Sequence, residues 1–255
     1  MMKNYIIIII LLLLPICNLL AQDAKTIHVL VALCDNKYQG IVKVPKGIGN
    51  GQDPNTNLYW GCGYGVRTYF RKSTDWKEVK CYKSDRIRLE RIVFKHKTKN
   101  YYLIADAYDG RNIKDCTIDL LRACSGAKKD SIIIDNEKIG LFGKAEVIAY
   151  VGHNGLMDFS LQGKTENADG ITRQVIILAC ASRQYFKNQI ESTGANPLLW
   201  TTHLMAPEAY TLHDALATYI NGRNDEDVRN SAAATYNKYQ KCGLKGAKKL
   251  LVTGF

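Results

Sequence analysis

Two stretches of this sequence, AEVIAYVGHNG (residues 145–155) and QVIILACASR (residues 174–183), string apolar residues together without the alternation of a half-exposed strand. A strand can bury such a run only if both of its faces are covered, as in a parallel sheet held between helices. Each run then ends on a reactive side chain among small neighbours. His153 precedes Asn154 and Gly155, and Cys180 sits between Ala179 and Ala181. In open α/β sheets the C-terminal edge of the strands is where ligands bind, so both side chains stand where chemistry is done.

The rest of the chain supplies the other layers. TIHVLVALCDN (residues 26–36) reads as a buried strand and is followed by a long Gly/Pro/Asn loop up to residue 57. YYLIADAYDG (101–110) is another strand, and PLLWTTHLMAPEAY (197–210) is a strand running into a helix with Pro207 in its first turn. Further helices are expected at the end of LYWGCGYGVRTYFRK (58–72), in NIKDCTIDLLRACSG (112–126) closed by Gly126, and in DEDVRNSAAATYNKYQKCG (225–243). The last has acidic residues at its start and Lys238 and Lys241 at its end, as the helix dipole favours. WKEVKCYK (76–83) and LERIVFKHK (89–97) alternate like a small antiparallel hairpin at the sheet edge. Gly61, Gly63 and Gly65 do not fit G-x-G-x-x-G and read as close-packing positions. Strands alternating with helices make residues 22–255 a single α/β domain: a doubly wound, mostly parallel sheet with helices on both faces and a small antiparallel hairpin.

Residues 1–21 carry Lys3, an apolar run at 6–14, the helix breaker Pro15 and the small Ala21. This is the pattern of a signal peptide, with the exported chain, periplasmic or secreted, beginning at Gln22 and keeping no stable membrane span after processing. Bulky Pro15 and Ile16 before Cys17 disfavour lipidation there. The net charge is +11. Its clusters, such as KHKTK (95–99) and KGAKK (245–249), have no interleaved stacking aromatics, so they read as solvated surface and exclude nucleic acid as a partner. Of eight cysteines, loss of Cys17 leaves seven, and an odd number guarantees a free thiol or an intermolecular bridge. Cys116 and Cys124 share one helix about 12 Å apart in axial rise, too far to pair.

If the strands ending at His153 and Cys180 are parallel neighbours, as their 27-residue offset permits, their ends lie about 5–10 Å apart. An imidazole beside a thiol takes its proton and makes it a nucleophile. Ala179, Ala181 and Ser182 leave room for a substrate carbonyl, and backbone N–H groups of Asn154, Gly155 and Cys180 are candidates for an oxyanion hole. Glu208 and Asp158 are carboxylates that suit a pocket for a basic side chain. His203 and His213 with Cys180 lack metal-ligand spacing, no G-x-S-x-G elbow is present, and the thiol chemistry requires neither metal nor cofactor.

A hydrophobic block ending in His-Gly, followed by one ending in Ala-Cys, is the signature of the clan CD cysteine peptidases, the caspase-like family that includes legumain, clostripain, gingipains and separase. VIAYVGHNG and VIILAC follow in that order. The chain resembles that family loosely from Ile27 to about Ala217, with the specificity of the match in the two blocks. The resemblance implies a caspase-hemoglobinase fold, Cys180 as nucleophile, His153 as general base and acid, and cleavage after a side chain held in a deep pocket. It also implies that the end of the strand LLWTTHLMAPE, with Thr202, His203 and Glu208, helps to form that pocket. Two departures stand out: Asn154 separates His153 from Gly155, where the family usually has glycine directly after histidine, and LMDFSLQGKTENADGITR (156–173) shows no crossover helix. The leading reading is an exported cysteine endopeptidase acting on a peptide or protein substrate. The alternative is a catalytically silent caspase-like domain binding a peptide or an envelope partner, and a third reading is an amidase or transpeptidase on the same dyad. Nothing in the pattern specifies an oligomeric state.

Overall fold

The computed structural model describes residues 24–255. The expected signal peptide at 1–21, Cys17 and the expected start at Gln22 lie outside them. The strands are β1 (Lys25–Ala32), β2 (Trp76–Tyr82), β3 (Arg88–His96), β4 (Tyr101–Tyr108), β5 (Lys129–Ile134), β6 (Glu137–Phe142), β7 (Val147–Gly152), β8 (Gln174–Leu178), β9 (Asn196–Thr201) and β10 (Leu251–Val252). The helices are α1 (Val66–Arg71), α2 (Ile113–Cys124), α3 (Ser182–Thr193), α4 (Ala209–Ile220), α5 (Asp225–Gln240) and α6 (Leu244–Leu250).

All strands but β5 and β6 join one mixed sheet in the order β10-β9-β8-β7-β1-β4-β3-β2. Its five central strands, β4, β1, β7, β8 and β9, run parallel. The edges are antiparallel: β2 and β3 extend β4 on one side, and β10 pairs with β9 on the other. Both faces are covered, which is why the central strands read as unbroken apolar runs. Ile27, Val29 and Val31 of β1 face one core with α1, α4, α5 and α6, whereas Leu30 and Ala32 face the other with α2, α3 and the β5–β6 hairpin. Burying a side chain such as Phe70 or Phe186 in these layers stabilises the fold by about 1.5–3 kcal/mol. Among the described residues no helix is long and apolar enough to cross a membrane.

Local chemistry explains the element ends. The buried residues of α2, Ile113, Cys116, Thr117, Leu120, Leu121, Ala123 and Cys124, recur at three- and four-residue steps on one face. The α5 helix starts where the Asn224 side chain accepts a hydrogen bond from the Asp227 N–H at 2.9 Å. A Cβ on Gly61 would lie 1.9 Å from the Asn55 carbonyl oxygen and one on Gly65 2.5 Å from the Trp60 backbone, so both are close-packing positions, while Gly63 faces open space.

The structure departs from the sequence reading in four places. The β5–β6 hairpin, turned by Asp135 and Asn136, the α3 crossover, and α6 with β10 after it are elements that the reading passed over. The α4 helix begins at Ala209 with Glu208 as its cap, so Pro207 precedes the helix instead of opening it. Residues 202–208 are held out of helical geometry by contacts to the end of β8 described below. The β7-to-β8 connection, as expected, has no crossover helix beyond a single 3-10 turn at Gly155–Met157.

One charged cluster is sealed inside the sheet. Arg91 of β3 donates two hydrogen bonds to Asp106 of β4, at 2.6 and 2.7 Å, and His28 Nε2 lies 3.0 Å from the same carboxylate. His28 Nδ1 accepts the Phe142 N–H at 2.8 Å, so the proton resides on Nε2 and points at Asp106. Burial lowers the His28 pKa, outweighing the hydrogen bond to Asp106 that opposes it. Burial alone would raise Asp106, but Arg91 and His28 hold it below the usual carboxylate range.

Candidate functional site

β7 and β8 are parallel neighbours, paired from Val147↔Gln174 to Val151↔Leu178. Carrying that register forward two residues puts His153 opposite Cys180 at the C-terminal edge of the sheet. Both side chains line one cleft of about 450 Å³. Gly152, just before His153, has φ +151°, and a Cβ there would lie 2.7 Å from the Ala32 carbonyl oxygen, so glycine is required for the end of β7 to sit against β1.

The small residues around Cys180 are explained by the turn that carries it. The chain passes from β8 into α3 through Ala181, a non-glycine residue in left-handed geometry at φ +48°. Such a conformation costs about 1–3 kcal/mol and persists only where its surroundings fix it. Here they do. The Ala181 N–H donates to the His203 carbonyl at 2.9 Å, the Ser182 hydroxyl donates to the Ile177 carbonyl at 2.9 Å, and the Ser182 N–H donates to Thr201 Oγ1 at 3.1 Å. Cys180 stands on the outside of this sharp bend. Its Sγ accepts the Met205 N–H at 3.4 Å and, as a thiol, donates to the Met205 carbonyl at 3.6 Å.

His153 is only 6% exposed and is held by a carboxylate: its Nε2 lies 2.9 Å from Asp158 Oδ2. The same oxygen accepts the Gly40 N–H at 2.9 Å, joining the histidine to the loop that walls the cleft. With Nε2 bonded to Asp158, Nδ1 is the ring nitrogen left to act on a neighbour. A Tyr150 hydroxyl hydrogen bond to the His153 carbonyl, 2.7 Å, fixes the backbone beneath the ring. Asn154 is fully buried, and its side-chain amide donates to the Cys180 carbonyl at 2.7 Å while its Oδ1 accepts the Leu156 N–H.

The expected site residues therefore separate. His153, Cys180 and Glu208 share the cleft. Asp158 stands behind His153 as its hydrogen-bond partner and is not a pocket residue. Asn154 and Gly155 are buried behind the wall and do not line the cleft, because the 3-10 turn folds them under it. Thr202 and His203 lie outside it too: their side chains bond each other at 2.8 Å, and Thr202 also donates to the Lys249 carbonyl. The sequence reading missed the opposite wall, Ile41, Val42, Val44, Leu58 and Tyr59, and Gln240 from α5. The Gly/Pro/Asn composition of residues 37–57 marked a loop but carried no sign of which strand end it would cover.

All seven cysteines of the described residues are unpaired. Most are poor nucleophiles. Burial pushes Cys34 up to about 11 and Cys124 up to about 12, and burial with the Glu90 charge pushes Cys81 up to about 11. Burial raises Cys116 strongly, and burial with Glu208 raises Cys62. Among the described residues no three His, Cys, Asp or Glu side chains converge as a metal site.

These elements define an α/β protein with a mixed, centrally parallel sheet and a thiol–imidazole cleft at its C-terminal edge. No protein-family model, no curated protein and no solved structure matches the chain.

Proposed function

We propose that the chain is an exported cysteine peptidase of the caspase-like type, with Cys180 as nucleophile and His153 as its base. The observation that carries this reading is the pairing of β7 with β8, which ends both strands at one cleft with a thiol on one and a carboxylate-held imidazole on the other. The order of the blocks VIAYVGHNG and VIILAC, which resembles clan CD, agrees with it.

In the proposed reaction His153 takes the thiol proton, and Cys180 Sγ forms a bond to the scissile carbonyl carbon. His153 then returns the proton to the amine as the C–N bond breaks, leaving a thioester on Cys180. Water, deprotonated by the same imidazole, cleaves the C–S bond and restores the thiol. Asp158 keeps the ring oriented and stabilises it while it is charged, the task of the carboxylate in acyl-transfer triads.

The test is cleavage of a mixed-sequence peptide library, read by mass spectrometry, by the wild type, Cys180→Ala and His153→Ala. Sequence-selective cleavage lost in both variants supports the reading. Undiminished cleavage by Cys180→Ala, or none by any of the three proteins, overturns it and leaves the peptide-binding alternative.

A further inference from the structure

We propose, resting on the peptidase reading of the Cys180 cleft, that this site selects lysine as the residue on the N-terminal side of the cut, with Glu208 as its charge partner. Glu208 is the one carboxylate among the residues lining the cleft, whose other walls are mostly apolar, with Ile41, Val42, Leu58, Leu204 and Met205 among them. A long side chain entering beside Cys180 lays its methylenes against these walls and carries its polar head to the acid. Lysine and arginine are built for that division of labour.

Glu208 is a carboxylate waiting for a cation. Although it caps α4 in sequence, its side chain makes no capping hydrogen bond to the helix backbone. It turns instead to the Tyr210 hydroxyl at 2.9 Å and the Gln240 amide at 3.3 Å. No Lys or Arg among the described residues forms an ion pair with it, and burial raises its pKa. A half-buried acid without a counter-charge is costly and is relieved when a ligand brings the opposite charge. An aspartate or glutamate in the substrate would meet a like charge there, and a leucine would seal the carboxylate off unpaired.

The choice between the two basic residues follows from which oxygen is free. Tyr210 and Gln240 both donate to Oε2, which leaves Oε1 for the substrate. An ammonium is a point charge that one oxygen can hold, whereas guanidinium gains its advantage from gripping both oxygens at once. Lysine is therefore served better than arginine.

The experiment is a series of fluorogenic peptides identical except for Lys, Arg, Asp, Asn or Leu before the cut, assayed with wild type and with Glu208→Gln. The wild type needs no substitution to give the order, so the test does not depend on the variant folding. The expected kcat/KM order is Lys, then Arg, with the other three lower by about 30-fold or more, the loss for an unpaired buried charge. Glu208→Gln, which keeps the side-chain shape, should lose the Lys preference by a similar factor while its activity on Leu holds or rises. Cys180-dependent cleavage with Arg, Asp, Asn or Leu equal to or above Lys overturns the lysine assignment and leaves the peptidase reading intact. If none of the five peptides is cleaved in a Cys180-dependent way, the outcome of the mixed-library experiment separates the two: selective cleavage elsewhere overturns the lysine assignment alone, and none overturns both.

Discussion

The buried side chain of Asn154 is bonded to the carbonyl of Cys180 at 2.7 Å, so the residue after the histidine and the cysteine itself are locked together across two strand ends. The side chain that stands where the resembled family has glycine is turned into the protein and does not narrow the cleft. Its work is to hold the spacing between the imidazole and the thiol.

Asn154→Ala should then lower stability by about 1–3 kcal/mol, the cost of losing its hydrogen bonds to the partly buried Cys180 carbonyl and to the Leu156 N–H, and should lower activity further by loosening the pair. Thermal unfolding gives the first quantity and kcat/KM on a cleaved peptide gives the second. A variant with wild-type melting and wild-type activity would refute the locking role.

For the orienting carboxylate, His153→Ala should cost about 10²–10⁴ in kcat/KM, the usual worth of a general base. Asp158→Asn should cost less than that, because the base remains but its ring loses the charge that holds it. The split between kcat and KM separates this from a folding defect. Loss of ring orientation should lower kcat with KM and the melting temperature unchanged, and an unchanged kcat would show that Asp158 serves only the Gly40 loop.

Thiol selectivity offers a check that needs no substrate. Iodoacetamide should modify Cys180 before the other cysteines, since it shares its cleft with an imidazole that can take the thiol proton. Cys34, Cys81 and Cys124 are held near 11 or 12 and Cys116 is buried, so these should be slow. His153→Ala should slow the labelling of Cys180 and leave that of exposed Cys242 unchanged. Peptide mapping after timed quenching reads both, and Cys62 or Cys34 reacting ahead of Cys180 would count against the nucleophile.

The sealed His28–Asp106–Arg91 cluster sets the acid limit of the fold. The pKa of His28 is lowered in the folded protein, so its contribution is complete above the unfolded value of about 6.5 and is lost as pH falls below it. Asp106 is also depressed, so its contribution is present above about 3.9 and is lost as pH falls further toward its folded value. Unfolding free energies from urea titrations should therefore fall between pH 7 and 5, with His28 contributing a slope of at most about 1.4 kcal/mol per pH unit. His28→Gln should be less stable at pH 7 yet flatter over that window. An equally steep decline in the variant would place the acid sensitivity elsewhere.

How legible all this was in the sequence depended on how locally each feature is encoded. His153 and Cys180 stood out because a strand buried on both faces shows itself as an unbroken apolar run, and the reactive residue marks its end. The β5–β6 hairpin had a readable signal that was passed over: Asp135 and Asn136 form a two-residue turn with φ of +49° and +67°, the geometry that Asp and Asn tolerate best. Helix α3 was hidden by polarity, since only Ser182, Phe186, Ile190 and Thr193 of its face are buried. The cleft wall at Ile41, Val42 and Val44 had no local signal, because it is made by a loop more than a hundred residues before Cys180. Asp158 was visible as a carboxylate, but its bond to His153 depends on the 3-10 turn between them. Thr202 and His203 failed as pocket residues because their side chains bond each other and Thr202 also bonds the last turn of α6, a contact across 47 positions in the chain.

The two contacts that Met205 makes to the Cys180 sulfur are made by its peptide group, not its side chain. A saturation screen at 205 would thus be blind to them: nineteen of the twenty amino acids carry the same N–H and the same carbonyl, and only proline deletes the donor. Variation at this codon can reshape the cleft wall while the atoms touching the sulfur stay the same. The sulfur's immediate surroundings are in that sense inherited from the path of the chain, and selection can retune what the cleft accepts without disturbing what holds the thiol.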